Sequence, residues 1–484
     1  EGKTYFASCV EVLKKFYAES QLEKLSSSIK SEHNFTFKDD KGPNFPKEVA
    51  FSLHSKIWMF RNSLIVLSGI IILLLASAFL YQTQISSTEE NAPVRPELRI
   101  PDDKVRLERP NLMKNIDKNL TSQDGIQTVT LVGMGGAGKT VLAHIYARDH
   151  SQKLSDIGRI NAETKESLIN SFEDFADELA KTKEKKKELK YIRNNYNLEK
   201  QKKKICSFVM RHLKLKSNWL LIYDNVENFS EIKEYFPQKS DVDAWGSGKV
   251  IITTTDDNIQ NASYINPDNI IYIKELSQDE SLTIFSKILY GYDSAKLIKE
   301  QKQEAINFLQ NILPLPLYIS VAANYMKVKK ITYEEYLKRM NSCSKDFERE
   351  LKDFTTETTD YDKKHYGIIA PSLEEVINLN PEFKELFFFI CLLDSQSIPK
   401  ELLTKYKDDL KVENFLYNLK KYSLIQEESK PVHTISFHRT IHQIAKNYLT
   451  RALHLEKQPQ LYTSMANAFA EFITHAIDRA DSNK

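Results

Sequence analysis

The chain has 484 residues, too many for a single core, and about three or four domains is the expectation for that length. Charged residues make up 28% and the formal net charge is only +2, so the whole-chain balance implies neither a nucleic-acid binder nor an acidic scavenger. Cys9, Cys206, Cys343 and Cys391 stand far apart without C-x-x-C spacing, which argues against a zinc site or a disulfide framework and suits a reducing compartment.

Residues 1–55 carry helix-like apolar spacing at Val10, Val12, Leu13 and Phe16, then a polar stretch with Gly42, Pro43 and Pro46; no role follows from them. The chain begins with Glu1 and not Met, as a fragment or a processed product would. Within 56–82, residues 64–81 form an uncharged, mostly apolar run of about 18 residues, about 27 Å as a helix and close to the thickness of a bilayer core. Trp58 and Tyr81 sit near its ends as interface aromatics would, so a single transmembrane helix is expected, with a buried core helix as the alternative. Lys56 and Arg61 favour a cytoplasmic N-terminal flank, but Arg95 and Arg99 stand on the other side, and the requirement of the motif at 133–140 for the cytoplasm decides between them. The residues after 82 are therefore expected on the cytoplasmic side of a single-pass membrane protein. Residues 83–104, with Pro93, Pro96 and Pro101, read as a semi-extended linker.

A new pattern runs from 105 to 275. Gly133, Met134, Gly135, Gly136, Ala137, Gly138, Lys139 and Thr140 stand between the apolar run 129–132 and a helix-forming run that begins at Val141. Strand, glycine-rich turn and helix in that order make a nest of backbone N–H groups at a helix N-terminus, where a phosphate chain can sit. Gly133, Gly138, Lys139 and Thr140 fill the fixed places of G-x-x-x-x-G-K-[ST]: the glycines let the backbone close on phosphates, the ammonium meets the β/γ oxygens, and the hydroxyl ligates Mg²⁺.

Residues 157–160 read as a second strand and 167–179 as a helix, with Leu168, Phe172, Phe175 and Leu179 on its apolar side. The basic stretch 181–204, with Lys183, Lys185, Lys186, Lys187, Lys200, Lys202, Lys203 and Lys204, is either a solvated insertion helix or an anion-binding patch. The run 219–224 ends in Asp224; a strand buried on both faces reads as continuous hydrophobics, and its terminal carboxylate reaches the Mg²⁺ held by Thr140. Residues 249–254 add a strand whose end, Thr253, Thr254, Thr255 and Asp256, is placed to sense a γ-phosphate, and 270–273 add another. The pattern specifies a three-layer α/β sandwich with a mainly parallel sheet.

From residue 276 the pattern turns helical, and 276–345 is expected to be a helical domain. Ser277 and Glu280 form a capping box, and Pro314 and Pro316 separate two helices. Residues 346–455 read as helices followed by two short strands, 423–426 and 433–437, and a helix from Arg439, a winged-helix domain. The segment 456–484 is amphipathic and starts a further helical module.

This ordered set resembles the NB-ARC branch of the signal-transduction NTPases with numerous domains (STAND), over about residues 105–449. The stretches that carry it are 133–140, 220–226, 246–255, 273–285, 314–317 and His438. The resemblance implies that Asp224 is the Mg²⁺ aspartate, that Pro316 packs on the adenine, that His438 reaches the ADP β-phosphate, and that Arg109 lies near the base. Pro316 as a helix breaker, His438 as an ordinary core histidine and Arg109 as a surface charge are the plain alternatives. Asn225 follows Asp224 where a second acid often orients the attacking water, so slow hydrolysis is expected. Thr255 stands where many members keep a γ-phosphate-reading arginine. Arg439 after His438 resembles bacterial members that carry tetratricopeptide repeats.

The resulting expectation is a membrane-anchored switch in which ADP holds a closed monomer and exchange for ATP frees His438 and permits self-association. A protein partner would bind through repeats outside this chain or at its C-terminal end. The rivals are a motor-type turnover ATPase and a winged-helix DNA-binding regulator. The latter is opposed by the sparse cations of 412–422, Lys420 and Lys421 beside Glu413, and nucleic acid is not an expected partner.

Overall fold

The computed structural model describes residues 93–482 apart from 95, 97, 99, 122–124, 263–264, 352–359, 429–432 and 453–457. The apolar run 64–81 lies outside the described residues, as does all of 1–55. Among the described residues no helix is long and apolar enough to cross a membrane.

The strand runs of the first module form one parallel sheet in the order β2-β3-β4-β1-β5. Its members are β1 (Ile126–Val132), β2 (Ile157–Asn161), β3 (Trp219–Val226), β4 (Gly248–Thr254) and β5 (Ile270–Tyr272). β3 is apolar from Trp219 to Tyr223 because both of its faces are covered there. Leu220 and Ile222 pack with Leu142, Ala143 and Tyr146 of α2 (Lys139–Asp149), behind which Ile116 of α1 (Pro110–Asn119) closes the layer. Trp219, Leu221 and Tyr223 pack on the other side with Phe172 and Phe175 of α3 (Lys165–Leu179) and Val209 of α5 (Leu198–Lys214). Each large side chain so buried contributes about 1.5–3 kcal/mol. The basic stretch is a helix pair, α4 (Lys183–Asn195) and the start of α5, which buries Leu189, Ile192 and Ile205 and leaves Lys183, Lys186, Lys187, Lys203 and Lys204 in solvent.

The second module is α6 (Gln278–Leu289), α7 (Lys299–Leu309), α8 (Pro316–Lys329) and α9 (Tyr333–Leu351), the last running past residue 345. α6 starts at the capping box read from the sequence: Ser277 Oγ accepts from Glu280 N and Glu280 Oε2 accepts from Ser277 N at 2.9 Å. Pro316 does not merely separate helices; it is the first residue of α8, where its missing N–H costs nothing.

The third module holds α10 (Asp360–Leu379), α11 (Pro381–Cys391), α12 (Lys400–Tyr406), α13 (Asp409–Lys421), α14 (Arg439–Asn447) and three strands, β6 (Ile398–Pro399), β7 (Ile425–Glu428) and β8 (Thr434–Phe437). The sheet is antiparallel in the order β6-β8-β7, three strands where the sequence suggested two, because β6 is too short to show alternation. α15 (Pro459–Ser482) packs on α12, with Met465, Phe469 and Phe472 buried. One apolar core runs unbroken from Leu131 and Ile251 of the sheet, through Phe285, Tyr318 and Tyr336, to Phe415 and Phe437. The three modules are thereby held against one another. Cys206, Cys343 and Cys391 are separate buried thiols.

Candidate nucleotide-binding site

The loop between β1 and α2 is shaped by two glycines in the left-handed region, Gly136 at φ 84° and Gly138 at φ 92°, the latter capping α2. The turn is anchored at its start by Gly133 N donating to Thr254 O at 3.2 Å, and a Cβ on Gly133 would fall 2.5 Å from Ile273 O. Backbone amides of the loop and of the first turn of α2 therefore converge at a helix N-terminus, an anion cradle.

Lys139 is 7% exposed and folds back over this loop, its ammonium donating to Gly133 O at 2.7 Å and Met134 O at 3.0 Å. Burial pushes its pKa down to about 8, against the pull of the Asp224 charge. Met134 is 40% exposed at the lip of the loop, and Val141 is half-buried beside Thr140 in the first turn of α2.

Asp224 is the centre of a three-oxygen arrangement. Its Oδ1 accepts from Thr140 Oγ1 at 2.7 Å and from Thr253 Oγ1 at 2.5 Å, and Thr253 Oγ1 in turn accepts from Asn225 N at 3.0 Å. The β3–β4 register shifts between Tyr223 and Val226, and Asn225 takes φ 61°; a bulge of this kind re-aims a side chain, and Asn tolerates the left-handed backbone. Of the strand-end hydroxyls that the sequence grouped together, Thr253 is the one that meets Asp224. Thr255 lies one residue past β4 and is exposed.

The other two modules come to the loop from above. Pro316 Cγ is 3.8 Å from where a Cβ on Gly138 would stand, and Leu317 N donates to Gly136 O at 3.4 Å. From the third module, Thr440 Oγ1 is 3.3 Å from the Cβ position of Gly135. His438 is the N-cap of α14, with Nδ1 accepting from Thr440 N at 3.2 Å. Burial pushes its imidazole down to about 4, the Lys139 charge adding to the effect and Asp224 opposing it. The ring is thus neutral at pH 7, and because Nδ1 accepts, Nε2 carries the proton and is the donor. His365, bonded to Tyr318 Oη at 2.6 Å, is pushed down to about 4 by burial. Its charge would also disfavour protonation of His438.

Arg109 is turned to the second module: Nε donates to Glu280 Oε1 at 3.0 Å, the capping glutamate of α6, and its buried Nη1 has no hydrogen-bond partner. Arg439 crosses from the third module to the first, with Nη1 paired to Glu227 Oε1 and Nε 3.5 Å from Glu163 Oε1. Glu163 follows β2, where Ala162 N donates to Asp224 O at 2.8 Å. Burial raises its pKa, with Asp394 and Asp224 adding and Arg439 opposing.

The donor set fits a nucleotide with its magnesium ion. A hydroxyl and a carboxylate oxygen 2.7 Å apart are hard ligands of the kind Mg²⁺ takes alongside phosphate oxygens and water. Among the described residues no cluster of three or more His, Cys, Asp or Glu side chains stands ready to hold a metal. Thr140 and Asp224 would hold the ion, and its chemistry would be to neutralise charge on phosphate oxygens.

Residues 109–294 match the family model of the NB-ARC domain. The matched stretch is a P-loop nucleotide-binding domain of α/β fold. No curated protein matches the chain significantly. Among solved structures, a STAND ATPase with a tetratricopeptide repeat sensor from Pyrococcus horikoshii is 16% identical, with 79% of this chain and 49% of that chain covered and a TM-score of 0.42. This chain therefore spans about half of that protein. Cdc6p from Pyrobaculum aerophilum is 15% identical over 74% of this chain and 99% of that one, at a TM-score of 0.32. AMPPCP-bound DnaA from Aquifex aeolicus is 13% identical over 75% and 92%, at 0.30. Scores this low leave the three as resemblances.

Proposed function

We propose that the chain is a nucleotide-driven signalling switch whose closed form is held by ADP and Mg²⁺ between the P-loop domain, the helical module and a winged-helix third module. One observation carries the reading: at the N-terminus of α14, Thr440 Oγ1 stands 3.3 Å from the Cβ position of Gly135 in the phosphate loop, and His438, the cap of that helix, is near enough to feel the charges of Lys139 and Asp224. In this reading the loop amides and Lys139 bind the phosphates, and Thr140 and Asp224 hold the ion. Pro316 packs on the adenine, Arg109 borders the base side, and His438 Nε2 donates to the β-phosphate. ATP in place of ADP removes the fit to His438, and the opened module self-associates. Asn225 beside Asp224 supports slow turnover, since an amide accepts no proton.

The DNA-binding reading is disfavoured because most cations around α13 are already matched, Lys411 with Glu382 and Asp408, Lys420 with Glu427 and Lys400 with Glu413, which leaves Lys421 exposed at its end. A motor-type ATPase would turn over at about 1 s⁻¹ or more. Residues 64–81 would anchor the switch in a membrane with the nucleotide site on the cytoplasmic side, and repeats beyond this chain or at its C-terminal end would bind the protein partner. The test is mass analysis of nucleotide carried through purification. The switch predicts retained ADP in the wild type and none in Lys139→Ala; equal nucleotide in both would overturn it.

A further inference from the structure

The residue after the magnesium aspartate is an amide, and the strand paired with Asp224 runs on into a carboxylate. Glu163 leaves the end of β2 two residues after Asn161, which pairs with Asp224 across the parallel sheet. The bond from Ala162 N to Asp224 O at 2.8 Å fixes that register. Its side chain is only 18% exposed, and one oxygen, Oε2, is buried without a hydrogen-bond partner in the protein. A carboxylate oxygen that lacks a partner and is shut off from solvent in the closed form is one that a water molecule would satisfy, and to which it could lose a proton, once the cover is removed.

The other oxygen is engaged from a different module. Arg439 Nε lies 3.5 Å from Oε1 of Glu163 while Nη1 pairs with Glu227, which follows β3. The Arg439 side chain is 52% exposed and Glu227 41%, so these pairs are weak and separable. Arg439 is the residue next to His438, so whatever moves His438 away from the phosphates moves Arg439 away from Glu163. Asp394, also of the third module, lies close enough for its charge to act on Glu163 and would leave with it.

Resting on the switch reading above, we infer that Glu163 is the water-activating carboxylate of this site, taking the role that Asn225 cannot fill, and that Arg439 withholds it in the closed form. In the step, a water oxygen bonds to the γ-phosphorus as Glu163 takes one of the water protons, and the bond from that phosphorus to the β–γ bridging oxygen breaks. ADP leaves with the electron pair, inorganic phosphate carries the second water hydrogen, and Glu163 returns its proton to solvent. Hydrolysis is then coupled to opening through two adjacent residues. Slow turnover results from the carboxylate being held by a cation in the resting form.

The experiment uses the full chain. Wild type, Glu163→Gln and Arg439→Ala are measured for ATP and ADP affinity, ADP release, single-turnover ATP hydrolysis and the nucleotide retained on purification. Glu163→Gln is expected to bind ATP as the wild type does, to hydrolyse it at least about a hundredfold more slowly, and to be purified with ATP in place of ADP. Arg439→Ala is expected to release ADP faster and to hydrolyse ATP no more slowly than wild type. Hydrolysis unchanged in Glu163→Gln, with or without faster ADP release, would make Glu163 only a partner of Arg439 and overturn the inference. So would a loss of ATP affinity matching the loss of hydrolysis. A wild type that retains no nucleotide, or a Lys139→Ala that binds it unchanged, fails the switch reading instead and is told apart by the binding data alone.

Discussion

Replacing His438 separates the capping role that the structure shows from the phosphate contact that the proposed function assigns to the same ring. Nδ1 caps α14 by accepting from Thr440 N at 3.2 Å, and Nε2, the protonated nitrogen of the neutral ring, is free to donate to a phosphate. Loss of an N-cap costs about 1 kcal/mol, and loss of a hydrogen bond to a charged group about 1.5–3 kcal/mol. Asn is as good a cap as any residue, yet its amide is too short to take the second role, so His438→Asn removes the phosphate contact alone. ADP should leave His438→Asn about 10- to 150-fold faster than wild type, at about 1.4 kcal/mol per tenfold. His438→Ala should show a similar rate and, in addition, a stability lower by about 1 kcal/mol from the lost cap. Release is followed by stopped flow with a fluorescent ADP, and stability by urea unfolding with nucleotide removed. A wild-type release rate in His438→Asn would refute the reasoning and leave His438 as a helix cap.

Three further outcomes are expected. Because Lys139 in the free site is pushed down to about 8 and only its protonated form complements phosphate, ADP affinity should be flat below that pH and fall as pH rises through it, by up to tenfold per unit; a flat titration to pH 9.5 would exclude Lys139 from the contact. Gly248→Ala places a Cβ 2.1 Å from the Trp219 ring, which is fully buried and pinned by Nε1 donating to Trp245 O at 3.0 Å, so about 3 kcal/mol of stability should be lost in urea unfolding, and a loss under about 0.5 kcal/mol would mean that the ring can yield. If residues 64–81 anchor the protein, carbonate and high-salt washing leave it with the membranes, and release of the protein into the supernatant would count against the anchor.

What could be read from the sequence follows the range of the interactions concerned. The P-loop, the β3 carboxylate and the Ser277 capping box are local patterns in which every needed residue is within a few positions, and the central strand β3 shows as an apolar run because both of its faces are buried. The P-loop contacts of Leu317 and Thr440 carried no such signal. Neither residue type is unusual at its place, and each acts only because the chain returns to the loop after a long excursion. Arg439 is the same case: its partners Glu163 and Glu227 follow two different strands, and nothing in periodicity or spacing pairs them. β6 was missed for a different reason, since two residues cannot alternate visibly.

Thr253 and Thr255 mark the limit most sharply. Side chains two apart on a strand share a face, so composition and parity treat the two hydroxyls alike, and only where the strand ends decides between them. β4 ends at Thr254, which leaves Thr255 beyond the pleat and exposed. β3 advances three residues, Tyr223 to Val226, while β4 advances two, Ile252 to Thr254. The extra residue is taken up at Asn225 in the left-handed region, and the bulge brings Asn225 N onto Thr253 Oγ1 and Thr253 onto Asp224. Asn225 is the residue whose backbone lets Asp224 meet both Thr140 and Thr253, a conformation that Asn and Asp tolerate alike, so the bulge accounts for a short polar residue there and not for the choice of amide over acid. A β-branched residue there would be strained by the positive φ, so the geometry of the carboxylate restricts its neighbour to the few residue types that accept a left-handed backbone.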